Sequence, residues 1–401
     1  MNERSDYILT TTPSLSRNDW TLILSLALLT FVLGTSEFVI VGILPDIADG
    51  LTISIATAGT LVSAFAISFA IGTPLMMSFT SHMPKRRLML GLTLGFIVLN
   101  FLSSQAPNYG LLLSTRMVTA VVTGVLISLA MLVASESVPP TKRGIAVSFI
   151  FGGFTMANVF GVPLGTFIGQ RAGWEATFFM TTALGVVALF AVYRVVPNQL
   201  SSAKTSISDQ LRLLTNPRIL IAFFIPAFGF GATYVVYTYL VPILKGVLGV
   251  PVAWVSPILL AYGFISIFSN MAAGKIASHN PIGRLRFVFL IQAVVLAALY
   301  VTTSNVTLGL INIALMSFMA ILLTTSTQIY LIDLAEKFNP DAKGLASSLM
   351  PVASNVGIGM GSALGGLVYA NAPVMMLALV GGAVALLTAA LTSLSHRLDQ
   401  R

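Results

Sequence analysis

The chain has no cysteine among its 401 residues, only 8% charged residues and only three histidines. The first absence excludes disulfides, thiol catalysis and cysteine-ligated metals. The second leaves too little charge for a water-facing surface, since soluble chains carry about 25%. No metal-ligand cluster and no Ser-His-Asp arrangement can be assembled from what remains. A nucleotide-hydrolysing loop of the Gly-x-x-x-x-Gly-Lys-Ser/Thr kind is also missing. The chain therefore cannot power its work by its own ATP hydrolysis, and no cofactor or metal is expected.

What is abundant is apolar. The hydrophobic share is 56% and the mean hydropathy is +0.93. Most apolar runs are about 20 residues long, which at about 1.5 Å per residue crosses a hydrocarbon core of roughly 30 Å. Lipid offers the backbone no hydrogen-bond partner, so such runs form helices or closed barrels. Barrel strands alternate apolar and polar residues, whereas these runs are continuously apolar. The pattern predicts spans at about 20–44, 56–79, 88–105, 110–134, 145–169, 176–196, 218–243, 252–276, 285–303, 307–331, 345–369 and 373–394. The segment from Met1 to Asp19 is polar and of mixed charge, without the marks of a signal peptide. The run from Trp20 is thus expected to be retained as a span.

Basic residues set the orientation. With a cytoplasmic N-terminus, the inner segments hold nearly all of them, among them Arg17, Arg86, Arg87, Lys142, Arg143, Lys204, Arg284 and Arg397. Only Arg171 and Lys245 fall outside, and Arg116 lies within a span. The positive-inside rule then places both termini in the cytoplasm, in a cell inner membrane. The net charge of +8 is explained by this topology, and no nucleic-acid partner is expected.

The chain also repeats itself. Ser81-His82-Met83-Pro84 followed by Arg87-Leu88 recurs as Ser278-His279-Asn280-Pro281 followed by Arg284-Leu285. Glu136, Pro140, Arg143-Gly144, Ala146 and Ser148 recur as Glu336, Pro340, Lys343-Gly344, Ala346 and Ser348. Pro45 matches Pro242, and Glu37 matches Tyr234. The longest polar interval, Pro197 to Pro217, separates six spans from six. The expected organisation is a bundle over 1–196, a cytoplasmic linker over 197–217 and a second bundle over 218–401. Two parallel six-span repeats are the layout of the major facilitator fold, with a substrate site between the halves near the midplane. The expected class is an all-α integral membrane protein with twelve transmembrane helices in two pseudo-symmetric six-helix bundles.

Short motifs sharpen this. Gly34-Thr35-Ser36-Glu37-Phe38 with Gly42-Ile43-Leu44-Pro45-Asp46-Ile47-Ala48 resembles the first-span signature of the twelve-helix drug:proton antiporter family. Leu113-Ser114-Thr115-Arg116 followed by Gly124 resembles its fourth-span arginine motif. Gly161-Val162-Pro163-Leu164-Gly165 resembles its fifth-span antiporter motif, and Gly173-Trp174-Glu175-Ala176-Thr177-Phe178 the outer loop beyond. Within the family the pattern is most similar to the branch of arabinose-type, chloramphenicol and purine base or nucleoside efflux permeases. The resemblance implies proton-coupled export of a small organic molecule by a functional monomer. Three positions depart from the family pattern: Ser81 or His82 stands where a loop aspartate is usual, Glu175 where an arginine is common, and Val162 intervenes before Pro163.

Glu37 is the only carboxylate well inside a predicted span and Arg116 the only deep cation; such residues are costly in a membrane and usually functional. Counting along their spans places both on the order of 10 Å below the outer boundary. A carboxyl's hold on its proton follows its surroundings, so the pair can serve proton coupling; a static ion pair between two spans is the other reading. Gly152, Gly153, Gly161, Gly165 and Gly169, with Pro163 among them, predict either a flexible gating contact with the eighth span or plain close packing. Arg86, Arg87 and Arg143 of the basic loops are further gating candidates. Phe154, Asn158, Tyr234, Tyr237 and Asn355 are candidates for the cavity wall, because rings with a polar handle stack on flat ligands and amides read polar edges. His82 and His279 suit loop-capping roles better than pH sensing. A facilitator, a proton symporter or a sugar exporter would share this scaffold. A membrane-embedded enzyme or a channel would need a catalytic cluster or a polar ring, and neither is found.

Overall fold

The computed structural model describes residues 15–197, 215–277, 281–338 and 343–399, apart from the side chains of 140, 281 and 343–348. Most of the expected linker, together with Ser278, His279, Asn280 and Pro340, lies outside the described residues. Among the described residues twelve helices are long and apolar enough to cross a membrane. They are α1 (Arg17–Gly50), α2 (Ile55–Phe79), α3 (Lys85–Ser104), α4 (Tyr109–Ser137), α5 (Arg143–Ala172), α6 (Trp174–Val195), α7 (Pro217–Val247), α8 (Val252–Ala277), α9 (Ile282–Thr302), α10 (Val306–Phe338), α11 (Leu349–Asn371) and α12 (Met376–Asp399). Each coincides with an expected span, and no strand occurs among the described residues.

The helix ends follow from local chemistry. Ser16 and Asp19 form a reciprocal capping box that starts α1, which satisfies amide groups the helix itself cannot. Asn108 caps α4 and Asn305 caps α10 through their side-chain oxygens. Gly173 alone joins α5 to α6, with φ of +88°, a backbone state that only glycine adopts without strain.

Between helices in lipid, close packing replaces the hydrophobic effect as the source of association. Small residues permit it. Gly34 lies against Phe154 and Ala157, and Gly185 against Ile97 and Phe96. α1 and α7 are the most enclosed spans. Large apolar side chains such as Met271, Val294, Val301 and Leu367 remain exposed around the outside, as a lipid-facing surface requires.

Among the described residues the main contacts between the halves pair α2 with α11, α5 with α8, and α1 with α7. These contacts are unevenly distributed along the axis. On the face away from the chain ends, one apolar cluster takes residues from both halves, among them Ile43, Val62, Leu240, Leu259 and Leu377. Towards the face that holds Arg17 and Asp399, the cores separate. One, with Leu26, Met89 and Val133, belongs to the first half; another, with Phe223, Leu285 and Leu331, to the second. The molecule is joined on its far side and parted on its terminal side.

Candidate functional site

The site forms where α1, α2, α7 and α11 meet. Gly34 and Gly42 let α5 pack against one side of α1, where a Cβ at Gly34 would stand 2.9 Å from that of Ala157. Glu37 points elsewhere, into a small cavity of about 10 Å³ between the halves. Glu37, Phe38 and Val41 of α1 line it with Val62, Phe65 and Ala66 of α2, Tyr234 of α7 and Ile358 of α11. That is room for about one water. The carboxyl is buried, and its Oε2 has no hydrogen-bond partner. Tyr234, the repeat counterpart of Glu37, stands on the facing wall.

Arg116 is fully buried beside Glu37 without forming an ion pair with it. Its Nη1 donates to Ser36 Oγ at 3.0 Å and its Nη2 to the Glu37 backbone carbonyl at 3.5 Å. The guanidinium lies over the Phe65 ring at 4.3 Å and near Phe178 at 5.8 Å, where cation–π attraction holds it. Ser36 in turn donates to Asn100 Oδ1 at 2.8 Å, and Thr181 donates to the same atom at 3.0 Å. Four helices thus share one buried polar chain. The static ion pair between α1 and α4 is not formed; a hydroxyl and a carbonyl hold the cation instead.

The candidate wall residues divide. Tyr234 meets Tyr237 edge-on at 5.3 Å, and Tyr237 stacks on Tyr262 of α8 at 5.0 Å. Phe154 meets Phe38 edge-on at 5.2 Å. These rings adjoin the cavity. Asn355 is buried on α11, donating Nδ2 to the Pro351 carbonyl while its Oδ1 finds no partner. It sits one turn from Ile358 without lining the cavity itself. Asn158 is half-buried and lies in a π-helical turn, Ala157–Gly161, that interrupts α5. Pro163 has no N–H to give the preceding turn, and Val162 bonds back to the Ala157 carbonyl across the wider ring. Such turns concentrate at functional sites.

Of the two readings carried for the α5 glycines, their neighbours match close packing. Gly153, Gly161, Gly165 and Gly169 face α1, where a Cβ would overlap Ala27, Thr35, Val39 and Ile43 in turn. The glycine stripe is close packing inside the first half, and it does not face α8. The contact with α8 brings α5 backbone close: Gly263 lies against Val159, whose Cα a Cβ would approach to 2.5 Å, and Ser256 donates to the Pro163 carbonyl at 2.6 Å, while Phe160 meets Phe264 edge-on at 5.6 Å beside them. Arg86 donates to the Tyr193 carbonyl at 2.9 Å, tying α3 to α6. Arg87, Arg143 and His82 are exposed on the terminal face.

The Major Facilitator Superfamily model matches residues 26–338. The chain belongs to the Major Facilitator Superfamily. It is 40% identical over 380 residues to the uncharacterized MFS-type transporter YtbD of Bacillus subtilis, covering 94% of this chain and 96% of that one. It is 32% identical over 260 residues to a chloramphenicol resistance protein of Streptomyces lividans, covering 64% and 66%. A solved bacterial homologue of the human lysosomal transporter Spinster shares the fold, with a TM-score of 0.76 at 16% identity over 97% of this chain and 99% of that one. The protein is thus a multi-pass membrane transporter of the facilitator fold.

In this transporter the residues missed by sequence reasoning are Asn100, Thr181, Tyr262, Gly263 and Gln292. Asn100 and Gln292 are nearly fully buried amides in apolar helices, and that was the available signal. Gln292 Nε2 donates to Thr233 Oγ1 at 2.8 Å. Among the described residues no group of three or more His, Asp or Glu side chains is placed to hold a metal.

Proposed function

We propose that this transporter is a proton-coupled exporter of a small organic molecule, working by alternating access with Glu37 as the proton carrier. The observation that supports it is the state of Glu37. Its carboxyl opens on the cavity between the halves, beside an arginine that is held by other partners. Such a carboxyl has two distinct futures. It can carry a proton while Arg116 stays on Ser36, or lose it when rocking of the halves brings Arg116 round to the carboxylate. A buried charge is tolerated only when paired, so the exchange links protonation to conformation. The basic-residue bias supports cytoplasmic termini, which makes the present form open towards the cytoplasm. The rocking bodies are residues 1–196 and 218–401, joined by 197–217, and the chain works as a monomer.

The substrate surface is the wall of Tyr234, Tyr237 and Tyr262 opposite Phe38 and Phe154, widened on opening to include Asn158 and Asn355. Aromatic walls with hydroxyl and amide edges suit a flat, partly polar ligand. The likeness to a chloramphenicol resistance protein and the motif resemblance to purine exporters both accord with that. The gate is the contact of Val159 with Gly263 and of the Pro163 carbonyl with Ser256. Gly161 and Gly165 serve it from behind, by keeping α5 on α1, and the basic turns of Arg86, Arg87 and Arg143 serve the terminal side. The alternative is a sugar exporter or a proton-independent facilitator of the same fold.

The test is a transport screen in inverted vesicles with purines, nucleosides, chloramphenicol and sugars, with and without a proton gradient. Gradient-driven uptake of at least one flat heterocycle or arene is expected, abolished in Glu37→Gln with the protein still inserted. Uptake that ignores the gradient, or a Glu37→Gln protein with full proton-driven transport, removes the coupling reading.

A further inference from the structure

The polarity of the buried chain is set at Asn100. Its Nδ2 donates to the Phe96 carbonyl at 2.9 Å, which fixes Oδ1 as the atom turned to Ser36. A carbonyl only accepts, so the amide cannot be reversed without losing that bond. Ser36 has one hydrogen and spends it on Oδ1. Its lone pairs are then left for Arg116 Nη1, 3.0 Å away. We propose that Asn100 is a positioning residue for the proton-coupling pair, holding Ser36 as an acceptor so that Arg116 stays off the Glu37 carboxylate in this conformation. This rests on the reading of Glu37 as proton carrier.

The second half supplies an internal control. The offset that aligns Ser81 with Ser278 sets Ser36 against Thr233 and Glu37 against Tyr234. There too a buried amide of the third helix meets the hydroxyl, but the direction is opposite. Gln292 Nε2 donates to Thr233 Oγ1 at 2.8 Å and to the Gly229 carbonyl at 3.1 Å. A hydroxyl–amide contact alone would serve packing in either direction. Only the half with a carboxyl and an arginine has the amide turned so that the hydroxyl can receive the cation.

Removing the amide frees Ser36 to turn its hydrogen elsewhere and weakens its hold on Arg116. The guanidinium then has the carboxylate next door as its best acceptor, since charge-assisted bonds are about twice as strong as neutral ones. The titratable groups that face Glu37 are Arg116 from α4 and Tyr234 from α7. α2 brings Val62, Phe65 and Ala66, α5 brings Phe154 beside Phe38, and α6 contributes Thr181 to the chain behind. Among the described residues no other charge lines the cavity beside the carboxylate. A cation brought against it keeps it ionised to lower pH, by about one unit or more.

The experiment reads this without any substrate. Purified protein in lipid is titrated while the infrared band of a protonated carboxyl is followed, and the Glu37 band is the one lost in Glu37→Gln. In Asn100→Ala the pH at which this band disappears moves about one unit towards acid. Ser36→Ala, a smaller change that spares the fold, moves it the same way, and the double variant moves it no further, because both break one relay. A band that titrates unchanged in folded Ser36→Ala, or shifts that add in the double variant, overturns the positioning role alone. Absence of any titrating Glu37 band overturns the proton-carrier reading as well.

Discussion

A guanidinium carries five N–H donors in a fixed plane, and burying it is tolerable only if most find acceptors. Arg116 meets this with a hydroxyl, a carbonyl and two aromatic faces, and its Nε still lacks a partner. That it sits beside Glu37 was legible in the sequence, because two lone charges at matching depth in apolar helices have few other places to go. Which atoms it takes was not legible, since the choice depends on Asn100 from α3 and Thr181 from α6. Asn158 tests the cavity at this scale. It is half-buried with no side-chain hydrogen bond among the described residues, so Asn158→Ala should change stability by less than about 0.5 kcal/mol. Loss of one ligand hydrogen bond should weaken binding roughly tenfold. Unchanged affinity for a substrate found in the screen, measured by equilibrium binding to folded protein, removes Asn158 from the wall.

Helix α5 shows how one element holds two contacts of different kinds. Its glycines Gly153, Gly161, Gly165 and Gly169 lie one or two turns apart and form a single stripe, which sequence spacing alone reveals. The direction of that stripe is a tertiary fact. It meets Thr35, Val39 and Ile43 of α1, whereas the opposite contact with Gly263 falls on the π turn before Pro163. In that turn the backbone at Val159 lies directly against Gly263 of α8, and Phe160 meets Phe264 beside it. Two substitutions separate packing from propensity. Gly161→Leu should lower stability by about 1–3 kcal/mol, because the new side chain overlaps Thr35. Gly152→Ala meets nothing within 4 Å and should leave stability unchanged or raise it by up to about 1 kcal/mol through helix propensity. Thermal unfolding in one detergent measures both, and equal Tm values would show that the stripe does not carry the α1 contact.

At the scale of the molecule, one shared core on the far side and two separate cores on the terminal side describe a body hinged about its far end. Closing the terminal side must open the contacts of α2 with α11 and α5 with α8. Ile67 and Gly359 cross that seam, with Ile67 Cγ1 placed 2.8 Å from where a Gly359 Cβ would stand. The chain has no cysteine of its own, so a pair introduced by Ile67→Cys and Gly359→Cys is unique. Their Cβ atoms fall within disulfide range. Oxidation should stop transport in vesicles and reduction should restore it. Transport that continues with the bond formed would mean that this seam does not open. The terminal side has its own tie: Arg218 pairs with Asp399, and Tyr330 donates to the same carboxylate at 2.8 Å. This clamp joins α7, α10 and α12 within the second half, so it does not tie the two halves to each other.

The sequence by itself determined the solvent, the secondary structure and the duplication. Continuous apolar runs leave a lipid-embedded backbone no option but helix, and loops repeated in order and spacing require two copies of one unit. It also singled out Glu37 and Arg116, because an isolated charge in a span is too costly to be incidental. Only the tertiary structure decided which helix the glycines of α5 face, that Arg116 rests on Ser36 and not on the carboxylate, and which end of the halves is joined. Those outcomes depend on distances between side chains from different spans, and each span's own pattern is compatible with more than one neighbour. Composition sets where a helix must lie; the packing of four helices around one carboxyl sets what it can do there.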